Sequence, residues 1–173
     1  MRKLSMEELG RKSVEEFKRS EKTPVIVVLE NIRSAYNVGS VFRSSDAFLV
    51  EAIYIIGYSA KPPHKEIKKT ALGAEETVHW EYFKTTAEAI EKLRQNSYRV
   101  FAIEQAVHSH PLQRVETNDK KALIFGNEVT GVEQSTIALC DGCIEIPQLG
   151  MKHSLNVATA VGVVLWEIVR ARI

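Results

Sequence analysis

Short apolar runs closed by a breaker alternate along this chain with segments whose apolar residues recur every three or four positions. Val25-Ile-Val-Val-Leu29 follows Pro24, Ala52-Ile-Tyr-Ile-Ile56 stops at Gly57, and Ala122-Leu-Ile-Phe125 stops at Gly126. Arg99-Val-Phe-Ala-Ile103 and the shorter Cys143-Ile-Glu-Ile146 read the same way. Uninterrupted apolar runs of this length suit strands buried on both faces. Thr77-Val-His-Trp-Glu-Tyr82 alternates instead and predicts an outer strand. Helices are predicted over Val38 to Phe48, over Thr86 to Gln95 with Ala87, Ile90 and Leu93 on one face, and over Glu133 to Leu139. Ser5-Met-Glu-Glu8 fits a capping box, which Met6, Leu9, Val14 and Phe17 continue as a helical stripe to about residue 20. A last apolar segment opens at Ser154-Leu155-Asn156 and runs to the C-terminus. Alternating strand and helix predicts an α/β fold, a mostly parallel sheet with helices on both faces. Trp80 and Trp166 read as core or interface residues, and Phe42 as core.

A chain of 173 residues that is 45% hydrophobic suits one domain with a substantial core. Its formal net charge of +1 argues against a non-specific nucleic-acid coat but leaves room for a local basic patch. The better candidate is the stretch from Lys61 to Lys69, read as a loop, where Lys61, Lys65, Lys68 and Lys69 outnumber Glu66. The N-terminal basic residues Arg11, Lys12, Lys18 and Arg19 are diluted by Glu7, Glu8, Glu15 and Glu16. The final apolar segment is interrupted by Gly162 and Glu167, so it reads as a core helix rather than a membrane span. The first residues do not form a secretory signal. Cys140 and Cys143 make no disulfide framework, and a cytosolic location is expected. Their C-x-x-C spacing precedes a strand rather than opening a helix, which weighs against redox or zinc chemistry. His108 and His110 lack a second ligand pair at zinc spacing, so no metal is expected.

Parallel sheets bind ligands beyond the carboxyl ends of their strands, which directs attention to the loops after Leu29, Ile103, Phe125 and Ile146. The first carries Asn37, Gly39 and Arg43, and Asn37 reads equally as a helix cap, Arg43 as a solvated or ion-paired side chain. Tyr36 beside them is a candidate for stacking on an unpaired base, or plain surface packing. The loop Phe125-Gly-Asn-Glu-Val-Thr-Gly131 brackets Asn127 and Glu128 with glycines, as a ligand loop or an ordinary turn would. The segment Ile146-Pro-Gln-Leu-Gly150 leads to Ser154 and Asn156 at the mouth of an apolar helix, a ligand site or a cap. His153 beside Ser154 is a further candidate ligand contact and is not read as catalytic.

Taken together, and in this order, these three segments resemble the motifs of the SpoU (TrmH-type) RNA 2′-O-ribose methyltransferases of the SPOUT superfamily. The resemblance rests on Asn37-Val-Gly39 with Arg43, on Phe125-Gly126-Asn127-Glu128 to Gly131, and on Ile146-Pro147 to Gly150 followed by Ser154-Leu155-Asn156-Val157. Cys140-Asp141 ahead of the third motif fits it too, while Gln148 stands where the family commonly has methionine. The resemblance spans about residues 24 to 170. It implies residues 23–173 as the methyltransferase domain, with 1–22 as a helical extension. It also implies a C-terminal deep trefoil knot, S-adenosylmethionine as cofactor and a homodimer. The small residues Ala158, Thr159, Ala160 and Gly162 are compatible with close packing of the last helix on sheet or partner.

By the same resemblance, Asn37, Arg43, Glu128, Ser154 and Asn156 surround the reacting ribose. Ala102, Gly126, Asn127, Ile146, Gly150 and Leu155 hold the cofactor. Arg43 acts as base with help from an RNA phosphate, or as a phosphate clamp, which suits a guanidinium that keeps its proton. Glu128 orients Arg43 or Asn156. Arg43 and the four lysines are the expected RNA contacts. The substrate class implied is structured RNA, with transfer RNA favoured over ribosomal RNA because the chain lacks the additional RNA-binding domain of many ribosomal-RNA members. A catalytically inactive RNA-binding module of the same fold is the alternative. A small-molecule nucleotide enzyme is disfavoured, since no G-x-G-x-x-G follows the first strand.

Overall fold

A computed structural model describes residues 1–5, 7–152 and 154–173 of the chain, apart from the side chain of Ala171. The expectations placed on Met6 and His153 lie outside the described residues. Seven parallel strands form one sheet in the order β3-β2-β1-β6-β4-β7-β5. They are β1 (Thr23–Glu30), β2 (Val50–Ile56), β3 (Trp80–Phe83), β4 (Arg99–Ile103), β5 (His110–Pro111), β6 (Lys121–Phe125) and β7 (Gly142–Glu145). The helices are α1 (Val14–Arg19), α2 (Ala35–Ala47), α3 (Lys65–Ala71), α4 (Ala74–Thr77), α5 (Thr86–Gln95), α6 (Gln134–Ile137) and α7 (Val157–Val169).

The continuous apolar runs are continuous because each strand buries both faces. Val25, Val27 and Leu29 of β1 join one core cluster with residues of α1, α2, α3, α4 and α7. Ile26 and Val28 join a second, on the opposite face, with α5. The sheet therefore lies between two helical layers, as the alternation predicted. The two inner strands β1 and β6 pair in parallel from Val25↔Lys121 to Leu29↔Phe125. The loops after β1, β4, β6 and β7 thus emerge on one edge of the sheet.

Several boundaries differ from the sequence reading. The Ser5–Glu8 capping box forms, with Ser5 N donating to Glu8 and Glu8 N to Ser5 Oγ, but it closes only a turn. Gly10, at φ +54°, breaks the chain before a second capping box at Ser13 and Glu16 starts α1. Phe17 is the one residue of that helix buried in the core. α2 begins three residues before the predicted start because Ser34, not Asn37, is its cap. The basic stretch is not wholly a loop: Lys65, Lys68 and Lys69 lie on α3, capped by the His64 side chain. Thr77 ends α4 rather than starting a strand, and β7 stops one residue short of Ile146. The buried face of α5 runs through Thr86, Ala89, Ile90 and Leu93, leaving Ala87 exposed. Trp166 is exposed on α7 with its ring tilted against Phe48 at 6.3 Å between centroids, whereas Phe42 is fully buried.

Gly39 explains how α3 fits against α2. A Cβ built there would lie 2.1 Å from Thr70 Oγ1 and 2.4 Å from the Ile67 carbonyl oxygen. The backbones meet only because position 39 has no side chain. Gly39→Ala should destabilise the fold by about 1–3 kcal/mol through overpacking. Thermal unfolding checks this: a melting temperature within a degree of the native value would contradict it.

Candidate active site

Three strand-end loops meet through one chain of hydrogen bonds. Glu128, in the loop after β6, accepts from Arg33 N at 2.8 Å and Ser34 N at 3.1 Å, ahead of α2. It also accepts from Asn37 Nδ2 at 2.9 Å. Asn37 Oδ1 in turn accepts from Asn156 Nδ2 at 3.1 Å. Asn156 Oδ1 accepts from Ala158 N and Thr159 N, capping α7. The relay unites residues 37, 128 and 156, which lie 91 or more positions apart for every bonded pair. Burial pushes the Glu128 carboxyl upward, but the donors from Arg33, Asn37 and Ser34 outweigh it and hold the group below its ordinary range.

The loop carrying Glu128 is shaped by its glycines. Asn127 and Gly131 exchange backbone hydrogen bonds at 3.1 and 2.9 Å. Gly131 takes φ +71°, and a Cβ on Gly126 would lie 2.2 Å from Gly131 C and Val132 N. Asn127 is spent on the loop itself: Oδ1 accepts from Val129 N and Thr130 N. Its Nδ2 donates to the Asn31 carbonyl and to Tyr58 Oη.

Behind this loop opens a pocket of about 480 Å3, whose lining includes Gly126, Asn127, Glu128, Ile146, Ser154 and Leu155. Those six expected site residues are brought together. Ser154 is on the pocket wall and does not cap α7. Gln148, the departure from the family pattern, also lines the pocket. Ala102 is fully buried, paired in the sheet between Ile124 and Cys143, and does not line the pocket. Gly150 is exposed in the loop before α7 and also stands outside the lining.

Arg43 is exposed and makes no side-chain hydrogen bond or ion pair with another described residue. It stands about 9 Å along α2 from Asn37, on the helix face shared with Tyr36 and Ser40. Glu128 therefore orients Asn37 and the start of α2, and Asn156 through Asn37, rather than Arg43. Lys61, Lys65, Lys68 and Lys69 are exposed and pair with no carboxylate among the described residues. Lys69 Nζ lies 5.9 Å from the Tyr36 ring, beside Asn37 of the relay.

Sequence reasoning missed Glu104 and Glu30. Glu104 follows β4 immediately, lines the pocket and accepts from Val132 N at 3.1 Å. The rule that ligands gather at strand carboxyl ends pointed to its loop, but only Ala102 was carried forward. Glu30 is 1% exposed at the end of β1 and accepts from the hydroxyls of Thr86 and Thr136 and from Glu133 N. A lone carboxylate closing an apolar run was its only signal. Asp141, ahead of the third motif, accepts from Val100 N and fastens the start of β7 to β4. Cys140 donates to the Thr136 carbonyl, and burial pushes its thiol up to about 12, the state of a packed rather than a reactive cysteine. Among the described residues no group of three or more His, Cys, Asp or Glu is placed to hold a metal.

A doubly covered parallel sheet with a pocket at its carboxyl edge and an amide–carboxylate relay at the pocket mouth defines a ligand-binding α/β protein. The model of the SpoU rRNA Methylase family matches residues 24–166, and the chain belongs to that family. It is 30% identical over 166 residues to a tRNA (guanosine(18)-2′-O)-methyltransferase of Thermus thermophilus, covering 96% of this chain and 84% of that protein. It is 28% identical to the 23S rRNA (guanosine-2′-O-)-methyltransferase RlmB of Vibrio parahaemolyticus, covering 96% of this chain and 67% of that protein. The A. aeolicus TrmH/SpoU tRNA modifying enzyme superposes with a TM-score of 0.82 at 24% identity, covering 92% of this chain and 80% of that one. The SpoU methyltransferase AviRb of Streptomyces viridochromogenes, in complex with AdoMet, gives 0.81 at 22% identity, covering 90% and 63%. At those identities the two structures speak for the fold alone.

The depressed carboxyl of Glu128 sets the sign of a pH effect. A group with a lowered folded pKa contributes stability above its unfolded value and loses it as pH falls through the folded one. Glu128→Gln should melt below the native protein at neutral pH, with the gap full above about pH 5 and closing in more acid solution. Thermal melts across pH 3 to 8 test it; a gap that widens on acidification would contradict the assignment.

Proposed function

We propose that this chain transfers a methyl group from S-adenosylmethionine to a ribose 2′-hydroxyl of RNA. The observation that carries the reading is the Asn156–Asn37–Glu128 relay at the mouth of the pocket, in a chain of the SpoU family. The pocket suits the cofactor. Its volume is that of a small-molecule site. Ile103, Phe125, Ile146 and Leu155 offer apolar walls to a purine, and Gly126 lines the same pocket. When bound, the cofactor supplies an electrophilic methyl group on its sulfonium.

The protein's own contribution is placement. Gly126, Ile146 and Leu155 hold the adenosine part. Ser154 and the amides of Asn37 and Asn156 position the ribose in line with the methyl group. Glu128, ionised and holding three donors, keeps Asn37 in one orientation. Arg43, charged and unpaired, clamps an RNA phosphate and stabilises the alkoxide that develops at the 2′-oxygen. Its free guanidinium supports the clamp over a role as base. The RNA is a transfer RNA in this reading, supported by the larger share of the T. thermophilus relative that the chain matches. Lys61, Lys65, Lys68 and Lys69 contact its phosphates. Free cysteines and an RNA substrate support a cytosolic location; no helix among the described residues is long and apolar enough to cross a membrane. The trefoil knot belongs to the same reading, supported by β6 and β7, the last two strands, each inserted between strands laid down earlier.

Incubation with labelled S-adenosylmethionine and unmodified transfer RNA or ribosomal RNA, followed by mapping of the mark, tests the function. Cofactor binding without transfer to either would favour the inactive RNA-binding module. Arg43→Lys, which loses the planar fork, should lower kcat by about 100-fold or more. Its S-adenosylmethionine affinity should stay native, and near-native turnover would remove Arg43 from the mechanism.

The homodimer rests on α7. Val163 and Trp166 are 39% and 53% exposed and share one stripe with exposed Thr159. A second copy covers that stripe. Sedimentation should find the native chain dimeric and Trp166→Glu monomeric; a native monomer would refute the assignment.

A further inference from the structure

A second recess, about 510 Å3, shares no lining residue with the first. Its lining includes Trp80, Pro62, Pro63, Lys65, Lys68 and Glu76. Trp80 is half-buried, packing one side on the core and facing the recess with the rest. It lies on β3, an edge strand, and Tyr82 two residues on shares its face of the sheet. Lys61 Nζ sits 3.5 Å from the centroid of the Tyr82 ring. Lys61 thus covers the Tyr82 ring, and Trp80 is the aromatic side chain left to the recess, beside exposed lysines, as in sites that hold unpaired bases.

The recess is physically joined to the relay side. Thr70 Oγ1 of α3 donates to the Tyr36 carbonyl of α2 at 2.9 Å, and Gly39 lets the two helices meet. Glu76 is the discriminating feature. Its carboxylate is exposed and accepts no hydrogen bond from a described residue, and it would repel a phosphate. It suits a base whose pairing edge offers two adjacent N–H donors, which among the four RNA bases is guanine.

Resting on the RNA methyltransferase reading, we propose that this recess receives an unpaired guanosine of the substrate, away from the reacting ribose. Trp80 stacks on the base, Glu76 accepts from its N1 and N2 hydrogens, and Lys65 and Lys68 neutralise the flanking phosphates.

Fluorescence anisotropy with two labelled nine-nucleotide RNAs tests this, one of uridines alone and one with a central guanosine, without cofactor. The native protein should bind the guanosine RNA about fivefold or more tightly, and Trp80→Leu should weaken that binding about tenfold, as loss of one stacked base does. Trp80→Phe, which keeps an aromatic face, should stay within about threefold of native. Glu76→Gln should lose the guanosine preference without weakening oligouridine binding. Lys65→Gln with Lys68→Gln should flatten the fall of affinity with salt by about one unit of logarithmic slope or more. Equal native binding of the two RNAs, or unchanged binding by Trp80→Leu with a native melting temperature, would overturn the proposal. So would a change in sedimentation on Trp80→Leu with RNA binding intact, which would assign the recess to a protein. Because binding is read without methyl transfer, failure of the catalytic reading alone leaves these results standing.

Discussion

The Glu128 carboxylate is the constraint on which the site depends. Its oxygens accept from two backbone N–H groups ahead of α2 and from the Asn37 amide. Left without it, those donors, two of them half-buried, would lose their partner at a helix start, where orphan N–H groups already accumulate. A carboxylate only accepts, so Asn37 must turn its NH2 toward Glu128. That leaves Asn37 Oδ1 for the Asn156 NH2, and Asn156 Oδ1 for the first N–H groups of α7. The direction of every bond in the relay follows from one group that cannot donate. Three loops far apart in sequence are thereby locked in one register, and two helices start from it.

Close backbone approach is the second constraint. Gly126 admits the return of the loop at Gly131 and Val132, and Gly39 admits α3. The two glycines belong to two different motifs, and neither works through a side chain. Gly126 sits in the pocket wall, and the space its side chain would take is filled by Gly131 and Val132, so it serves the turn that shapes the pocket. Gly39 lies in the interface of α2 and α3 and serves packing alone. A motif that reads as one chemical unit in sequence thus divides into Asn37, which belongs to the relay, and Gly39, which aligns the basic helix beside it.

The layers of this fold were legible because strands buried on both faces must be apolar throughout, and β1, β2, β4 and β6 leave no other reading. Short elements were not. α3 and α4 have seven and four residues, too few for a periodicity to emerge from lysines and glutamates. α1 was read as too long because Ser5–Glu8 satisfies the pattern of a capping box, and only the left-handed Gly10 shows that the helix restarts at Ser13. In the site, the relay residues were named but their wiring was not, since no local rule links positions 37, 128 and 156. Asn37 and Ser154 were each open to being a cap; Ser34 and Asn156 take those roles, which frees the other two. Ala102 and Gly150 were carried by family resemblance alone. The pocket lining does not include them, whereas Glu104, one strand position beyond Ile103, does contribute.

Charge is distributed to match this division. The pocket side carries Glu104 and Glu128, each already bonded to backbone N–H groups, so neither stands as a bare negative charge against an incoming polyanion. Arg43 and the lysines at 61, 65, 68 and 69 stay unpaired by carboxylates on α2, α3 and the segment before it. A net charge of +1 is therefore no argument against RNA. The sum is near zero because basic and acidic residues nearly match in number, 23 against 22, whereas Arg43 and these lysines carry no carboxylate partner among the described residues. Fixed carboxylates hold the site in shape, and mobile cations face the solvent where a phosphate backbone would lie. The same sorting explains why Lys121, at the opposite edge of the sheet, behaves differently. Burial pushes its ammonium down to about 8 and it pairs with Asp119, so it adds nothing to the face that meets RNA.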